Sequence, residues 1–476
     1  MTIDDTRKKW LALIVLCLGD LLIVLDVSIV NVALPSIRED LGFTESSLAW
    51  VLNAYTLTFG GFMLLAGRMG DLYGHRRVFV LGVGLFTLAS LACGLATSQE
   101  MLVGSRAIQG IGGAVVAAVA LSLIMTLFTE PAERAKAMGV IGFVAAGGGS
   151  IGVLAGGIIT DLFSWHWIFL VNIPIGVGVI VACLVLLPGG GARPADGRLD
   201  VAGAVLVTGS LMVAVYAIVN GNEQGWTSTQ TLGLLAVAVA GIGAFIFRES
   251  RAEAPLMPLG LLKLRSVATS NIVGILWSAA MFAMFFLSAL YLQLVLGYSP
   301  LQVGLAFLPA NLIMAAFSLG LSAKIVMRYG TRLPLVGGMG FVAAGLALFA
   351  RAPVDASFAV DVLPAMVILG VGIGIAMNPL LLAAMSDVKP EESGLASGIV
   401  NTSFMMGGAL GLAVLASVAA ARTGGDTSPA ALTDGYHAAF LIGAVFAAAA
   451  GTVAAVFMRD VQMRAGAAVE EELRAA

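Results

Sequence analysis

The sequence predicts an all-α polytopic membrane protein with both termini in the cytoplasm. Its fourteen transmembrane helices form two six-helix bundles, related by a pseudo-twofold repeat, plus two inserted helices. Three observations lead there: the composition, the count of apolar runs, and the placement of Lys and Arg. Of 476 residues, 59% are hydrophobic and 11% are charged, against about 25% charged in a soluble chain. So much apolar surface needs lipid as its solvent, which excludes a disordered chain, a collagen-like fibre and a disulfide scaffold. The net charge is -3 and the basic residues never form a stripe, so no nucleic-acid partner is expected. Cys17, Cys93 and Cys183 lie inside apolar runs and read as small packing residues. Three histidines are too few and too scattered for a metal enzyme, and no metal or organic cofactor is expected.

A hydrocarbon core about 30 Å thick takes about 20 apolar residues per helix. The first run, 11–34, follows Arg7-Lys8-Lys9. It is too long for a signal-peptide core and lacks a small-residue cleavage site, so it reads as a span. Runs at 48–66, 78–97, 102–127, 137–160 and 166–187 complete a first set of six. Two more follow at 199–219 and 230–247, then six at 267–295, 302–323, 333–350, 359–385, 394–420 and 436–458. With the N-terminus in the cytoplasm, the inner segments hold 21 of the 25 basic residues. Only Arg38, Arg351 and Arg422 fall outside, and Arg106 lies within a span. A miscount by one span would break this alternation, so the positive-inside bias tests the number as well as the direction.

An internal repeat divides the chain. At an offset of 256, Tyr73-Gly74-x-Arg76 superposes on Tyr329-Gly330-x-Arg332, and Arg68 on Lys324. At an offset of 259, Pro131-x-Glu133 meets Pro390-x-Glu392, while Gly139, Gly148, Gly149 and Gly152 meet Gly398, Gly407, Gly408 and Gly411. The expected units are therefore 1–190, a two-helix insert with linkers at 191–261, and 262–476, which ends in a short cytoplasmic tail. Parallel six-helix repeats with a site at their interface are a transporter plan.

Four stretches carry a resemblance to a known family. They are Leu25-Asp26-Val27-Ser28-Ile29-Val30-Asn31-Val32-Ala33-Leu34-Pro35, Gly67-x-x-x-Asp71-x-x-Gly74-x-Arg76-Arg77, Arg106-x-x-Gln109-Gly110, and Gly148-x-x-x-Gly152-x-x-x-Gly156-Gly157. Trp50-x-x-Asn53-Ala54-Tyr55 and Phe163-Ser164-Trp165-His166-Trp167-Ile168-Phe169-x-x-Asn172-x-Pro174 add to them. Together they resemble the major facilitator superfamily, and more narrowly its fourteen-helix drug:proton antiporter family. Leu72 stands where the loop motif usually has a basic residue, and Val153 where the fifth-helix motif usually has proline. The resemblance implies proton coupling at the Arg106 motif and antiport at the glycine motif.

An acid inside a span is expensive, and so is a functional candidate by default. Only Asp20 and Asp26 lie well inside one. Asp26 sits about 12 Å from the outer end of helix 1, and Arg106 about 7 Å from that of helix 4, at 1.5 Å per residue. The resemblance implies that helices 1 and 4 are neighbours, and both side chains are then long enough to meet in one layer. Either they form a static pair holding two helices, or Asp26 exchanges a proton while Arg106 sets its proton affinity. Asp20 is about 240° around the helix from Asp26, and either lines a cavity or bonds a neighbouring helix.

Asn31, Asn53, Tyr55, Gln109, Asn311, Asn378 and Asn401, with Trp277, Phe282, Phe285, Tyr291 and Phe404, are the candidate cavity lining, since a pocket for amphiphiles combines apolar walls with few polar groups. Each also reads as an interhelical bond. Gly148, Gly152, Gly156 and Gly157 mark either a sliding contact between the halves or a fixed close crossing. Gly67, Asp71, Gly74, Arg76 and Arg77 form a candidate gate, with Asp71 bridging to a helix N-terminus or to a base of the other half.

No GxxxxGK[ST] loop exists, which leaves an ion gradient as the energy source. The expectation is a non-enzymatic, proton-coupled exporter of hydrophobic or cationic small molecules by alternating access, in a bacterial plasma membrane and adequate as a monomer. A proton symporter would need a more charged cavity in both halves. A non-transporting sensor would need a soluble appendage, and the longest non-membrane segments are 248–266, 421–435 and 459–476.

Overall fold

The computed structural model describes residues 3–128, 130–186, 199–252, 255–388 and 393–460, and every regular element among them is helical. The long helices begin with α1 (Ile3–Leu41), α2 (Trp50–Tyr73), α3 (His75–Gly94), α4 (Gln99–Leu127), α5 (Pro131–Leu162) and α6 (Asn172–Leu186). A pair follows, α7 (Val201–Gln224) and α8 (Thr229–Glu249). The last six are α9 (Arg265–Leu290), α10 (Pro300–Ala316), α11 (Arg332–Phe349), α12 (Leu363–Ala384), α13 (Ser393–Thr423) and α14 (Pro429–Phe457). Among the described residues, twelve helical stretches are long and apolar enough to cross a membrane. The runs expected at 137–160 and 302–323 fall on two shorter apolar helices, Gly147–Leu162 within α5 and Pro300–Ala316. The second is short because Gly320, at φ 127, breaks the helix before Ser322–Tyr329 resumes it, a conformation that glycine tolerates and a β-carbon opposes.

Five of the long helices start at a side-chain oxygen. Ser98, Asp200, Ser228, Ser299 and Ser428 each accept a backbone N–H at the first turn of a helix, and such a cap is worth about 1 kcal/mol. Trp165 is buried and donates to Asp40 at 2.9 Å. Trp167 is exposed.

The packing repeats. In the first six helices, α1 touches α4, α5 and α6, while α2 touches α4, and α3 touches α4 and α6. In the last six, α9 touches α12, α13 and α14, while α10 touches α12, and α11 touches α12 and α14. The two sets meet along α2 with α13 and α5 with α10, with lighter contact of α1 on α9 and α10. One apolar core runs through both sets, from residues 29–37 of α1 to residues 277–290 of α9. The inserted pair packs on itself, and α7 leans on α2 and α13.

The glycine stripe faces differently from a contact between halves. A Cβ on Gly148, Gly152 or Gly156 would meet Leu21, Ser28 or Ile29, all on α1 of the same set. Gly157, about 100° further round, is the one that meets the other set: its Cβ would lie 2.7 Å from the Pro300 carbonyl oxygen. Gly304 returns the contact, 2.9 Å from the Val153 carbonyl oxygen. The repeat mates Gly407 and Gly411 approach α9 as Gly148 and Gly152 approach α1.

Candidate functional site

Asp26 and Arg106 meet as an ion pair, both with no exposed surface. Each comes from a different helix, α1 and α4, and neutral polar groups from three more elements close around them. Arg106 Nη1 donates to Asp26 Oδ2 and, at 2.7 Å, to Gln109 Oε1. Its Nε donates to the Val51 carbonyl of α2 at 3.0 Å. Its guanidinium carbon stands 4.3 Å from the centre of the Tyr55 ring, a cation–π contact strengthened by the absence of water. Gln109 Nε2 donates to Asp26 Oδ1 at 2.7 Å, and Asn172 Nδ2 donates to the same oxygen at 3.3 Å.

Ser90 on α3 ties the second row together. Its Oγ accepts from Gln109 at 3.2 Å and Asn172 at 3.0 Å, and donates to the Phe169 carbonyl at 2.9 Å. The carboxylate thus holds three N–H donors, and the cluster is electrically neutral. A buried pair of this kind offsets its desolvation only because its remaining lone pairs and protons are used. Arg106 Nη2 and the Tyr55 hydroxyl are the buried polar atoms of the group left without a hydrogen-bond partner.

Beside this cluster, between the two sets of helices, lies a cavity of about 240 Å³. One wall is α1 and α2, with Val24, Val27, Ser28, Asn31, Leu52 and Thr56. The facing wall is aromatic, with Phe282 and Phe285 on α9 and Phe307 on α10, joined by Met281, Met314 and Asn311. Gly149 and Val153 of α5 close one side.

Of the sequence-expected lining, Asn31, Phe282, Phe285 and Asn311 reach this cavity. Tyr55 and Gln109 belong to the ion-pair cluster instead. Trp277 and Phe404 stand behind Phe282, with the Phe404 ring 6.0 Å from Phe282 and 5.4 Å from Trp277. Asn401 sits at the seam, its Nδ2 3.6 Å from Met63 Sδ. Asn53 is fully buried in α2 with both amide atoms unpartnered. Tyr291 is away from the cavity: its hydroxyl donates to the Pro353 carbonyl at 2.7 Å. Asp20 and Asn378 are half-buried and outside the lining.

In the loop motif, Gly67 lies inside α2 and not in the turn, so only Gly74, at φ 92, supplies the turn's conformation. Arg76 donates to the Leu184 carbonyl at 2.5 Å, joining α3 to the negative end of α6. Arg77 is exposed. The side chain of Asp71 lies outside the described residues, as do Arg193, Arg198, Lys389, Pro390, Glu392, Arg464 and Arg474.

Ser90 and Asn172 are the members that sequence reasoning did not single out. Asn172 stands in a stretch that carried the family resemblance, which was the available signal. Ser90 has none, since a serine in a span is ordinary.

A repeated six-helix packing, a buried ion pair and a cavity between the repeats define a polytopic membrane transporter, not an enzyme. The chain belongs to the Major Facilitator Superfamily, whose family model matches residues 16–412. It is 40% identical over 447 residues to the puromycin resistance protein pur8 of Streptomyces alboniger, covering 92% of this chain and 88% of that one. It is 38% identical to the cephamycin export protein CmcT of Amycolatopsis lactamdurans, covering 93% of this chain and 91% of that one. It is 32% identical to the tetracenomycin C resistance and export protein of Streptomyces glaucescens, covering 88% and 77%. The fold is similar to the crystal structure of the nucleoside transporter NupG, with a TM-score of 0.66 at 14% identity, over 94% of this chain and 100% of that one. With twelve apolar spans among the described residues and relatives named as bacterial resistance and export proteins, it is a multi-pass protein of the plasma membrane.

Proposed function

We propose that this chain is a proton-coupled antiporter that exports hydrophobic or cationic small molecules, of the drug and antibiotic class, by alternating access. On this reading it is a fourteen-helix member of the superfamily with both termini cytoplasmic. The bundles 1–190 and 262–476 rock about the cavity, 191–261 is an inserted pair, and one copy suffices. The observation that carries it is a carboxylate with no exposed surface, paired to a guanidinium, one residue along α1 from the cavity-lining Val27. An intramembrane acid that serves only packing is disfavoured by its insertion cost, at least about 2.5 kcal/mol.

When Asp26 takes a proton, Arg106 loses its counter-charge but keeps the Val51 carbonyl, Gln109 and the Tyr55 ring. Those substitutes make the pair breakable without leaving the guanidinium bare. Because α1 carries both Asp26 and one cavity wall, a shift of α1 relative to α4 changes the cavity and the proton site together. The relatives named for cephamycin export and for tetracenomycin C resistance and export support outward transport, and the puromycin relative is named for resistance.

The test is uptake of radiolabelled puromycin into inside-out vesicles acidified within. Uptake that a protonophore abolishes is the expected result; uptake indifferent to the protonophore, or none above vesicles lacking the protein, overturns the reading.

A further inference from the structure

We infer that the cavity selects an uncharged aromatic amphiphile whose polar end carries both a hydrogen-bond donor and an acceptor, as an amide does, held between Asn31 and Asn311. This rests on the transporter reading and narrows its cargo. The first ground is the absence of charge among the described lining residues: none of them is ionisable. The acids on α1 do not supply it either. Asp26 is enclosed by Arg106, Gln109 and Asn172, and Asp20 is outside the lining. A cation entering this space loses its hydration without meeting a counter-charge, and attraction to aromatic faces offsets only part of that loss.

The second ground is the state of the polar atoms. Ser28 donates its hydroxyl hydrogen to the Val24 carbonyl at 2.8 Å, and Thr56 donates to the Leu52 carbonyl at 2.9 Å. Both are thereby spent within their own helices and leave lone pairs only. Asn31 donates to the Val27 carbonyl at 2.9 Å, and its Oδ1 has no partner. On the facing wall, Asn311 Nδ2 has no partner either. One helix thus leaves an unmet acceptor and another an unmet donor, both buried, where an unsatisfied polar group is disfavoured. A ligand presenting a donor towards α1 and an acceptor towards α10 satisfies both at once. Its apolar body then lies against Phe282, Phe285 and Phe307, with Met281 and Met314 adapting to its outline.

Three probes of one body separate the possibilities: 1-naphthamide, N,N-dimethyl-1-naphthamide, and 1-naphthylmethyl-trimethylammonium. Binding to the purified full-length protein in lipid nanodiscs is measured by calorimetry. The primary amide is expected to bind at least tenfold more tightly than both others. Asn31→Leu and Asn311→Leu, which keep the branching and heavy-atom count of the native side chain, are each expected to erase that preference. An ammonium probe that binds as tightly as the amide overturns the inference. So does a preference that survives in both variants, or the absence of binding by all three. Loss of proton-driven uptake with the amide preference intact overturns the antiport reading alone and leaves the cargo class standing.

Discussion

Gly157→Ala tests the seam between the halves. Its Cβ would lie 2.7 Å from the Pro300 carbonyl oxygen and 2.8 Å from Leu301 Cα. Both are backbone atoms of the opposing set, so no side chain can swing away, and α5 and α10 must part by a few tenths of an ångström or more. Overpacking of this kind costs about 1–3 kcal/mol. On the proposed alternating-access reading the seam opens in the other state, so that energy falls on one conformer and should shift the equilibrium between states about 5–150-fold.

Gly156→Ala is the informative contrast. Its Cβ would meet the Ile29 carbonyl oxygen at 2.8 Å, within one set, so it lowers stability without favouring either state. Gly147→Ala, with nothing within 4 Å, is expected to leave both unchanged. The assay is the rate of thiol labelling of a cysteine placed at Asn31, alongside thermal unfolding in detergent. Gly157→Ala should change the labelling rate severalfold with little loss of stability, and Gly156→Ala should do the reverse. If the two behave alike, the assignment of one face to α1 and the next to α10 is wrong.

Other outcomes follow from the same geometry. Arg106→Leu strands a buried carboxylate and should cost about 3–5 kcal/mol. The double variant Asp26→Leu with Arg106→Leu should recover most of that loss in thermal unfolding, and no recovery would deny direct coupling. Asn172→Leu removes a donor from Asp26 Oδ1 and should cost about 1.5–3 kcal/mol and alter the pH profile of transport, which a purely structural asparagine would leave unmoved. Asp200, at the start of α7, has its carboxyl pushed up by burial but held below its ordinary 3.8 by the Arg248 guanidinium and the Gly203 N–H. Its contribution to stability is therefore whole above about pH 4 and lost as the pH falls through the lowered value. Asp200→Ala should remove about 0.5–2 kcal/mol of capping and remove the loss of α7–α8 stability that the wild type shows below about pH 4, read by hydrogen exchange.

Much of the architecture was legible because it rests on strong terms. Apolar runs and basic loops are dictated by the bilayer, and the repeat offsets reappear as the same packing of α5 on α1 and α13 on α9. Asp26 and Arg106 were legible because two opposite charges deep in spans have few other ways to be satisfied. Ser90 and Asn172 were not, since a neutral polar group in a span is cheap enough to be common. Helical spacing tells which glycines share a face but not which neighbour that face meets, so Gly148, Gly152 and Gly156 could not be separated from Gly157. Tyr291, Asn401 and Asn53 failed to reach the cavity for the same reason: rotation about a helix axis is set by partners distant in sequence. The break at Gly320 was hidden because glycine inside an apolar run is ordinary in membrane helices.

The proton carrier is tested most directly by comparing wild type and Asp26→Asn in vesicles acidified within, with uptake against the gradient and gradient-free exchange of a cargo that the wild type accumulates measured on the same preparation. The account predicts that Asp26→Asn abolishes accumulation while exchange continues. Accumulation at the wild-type level in Asp26→Asn would contradict it.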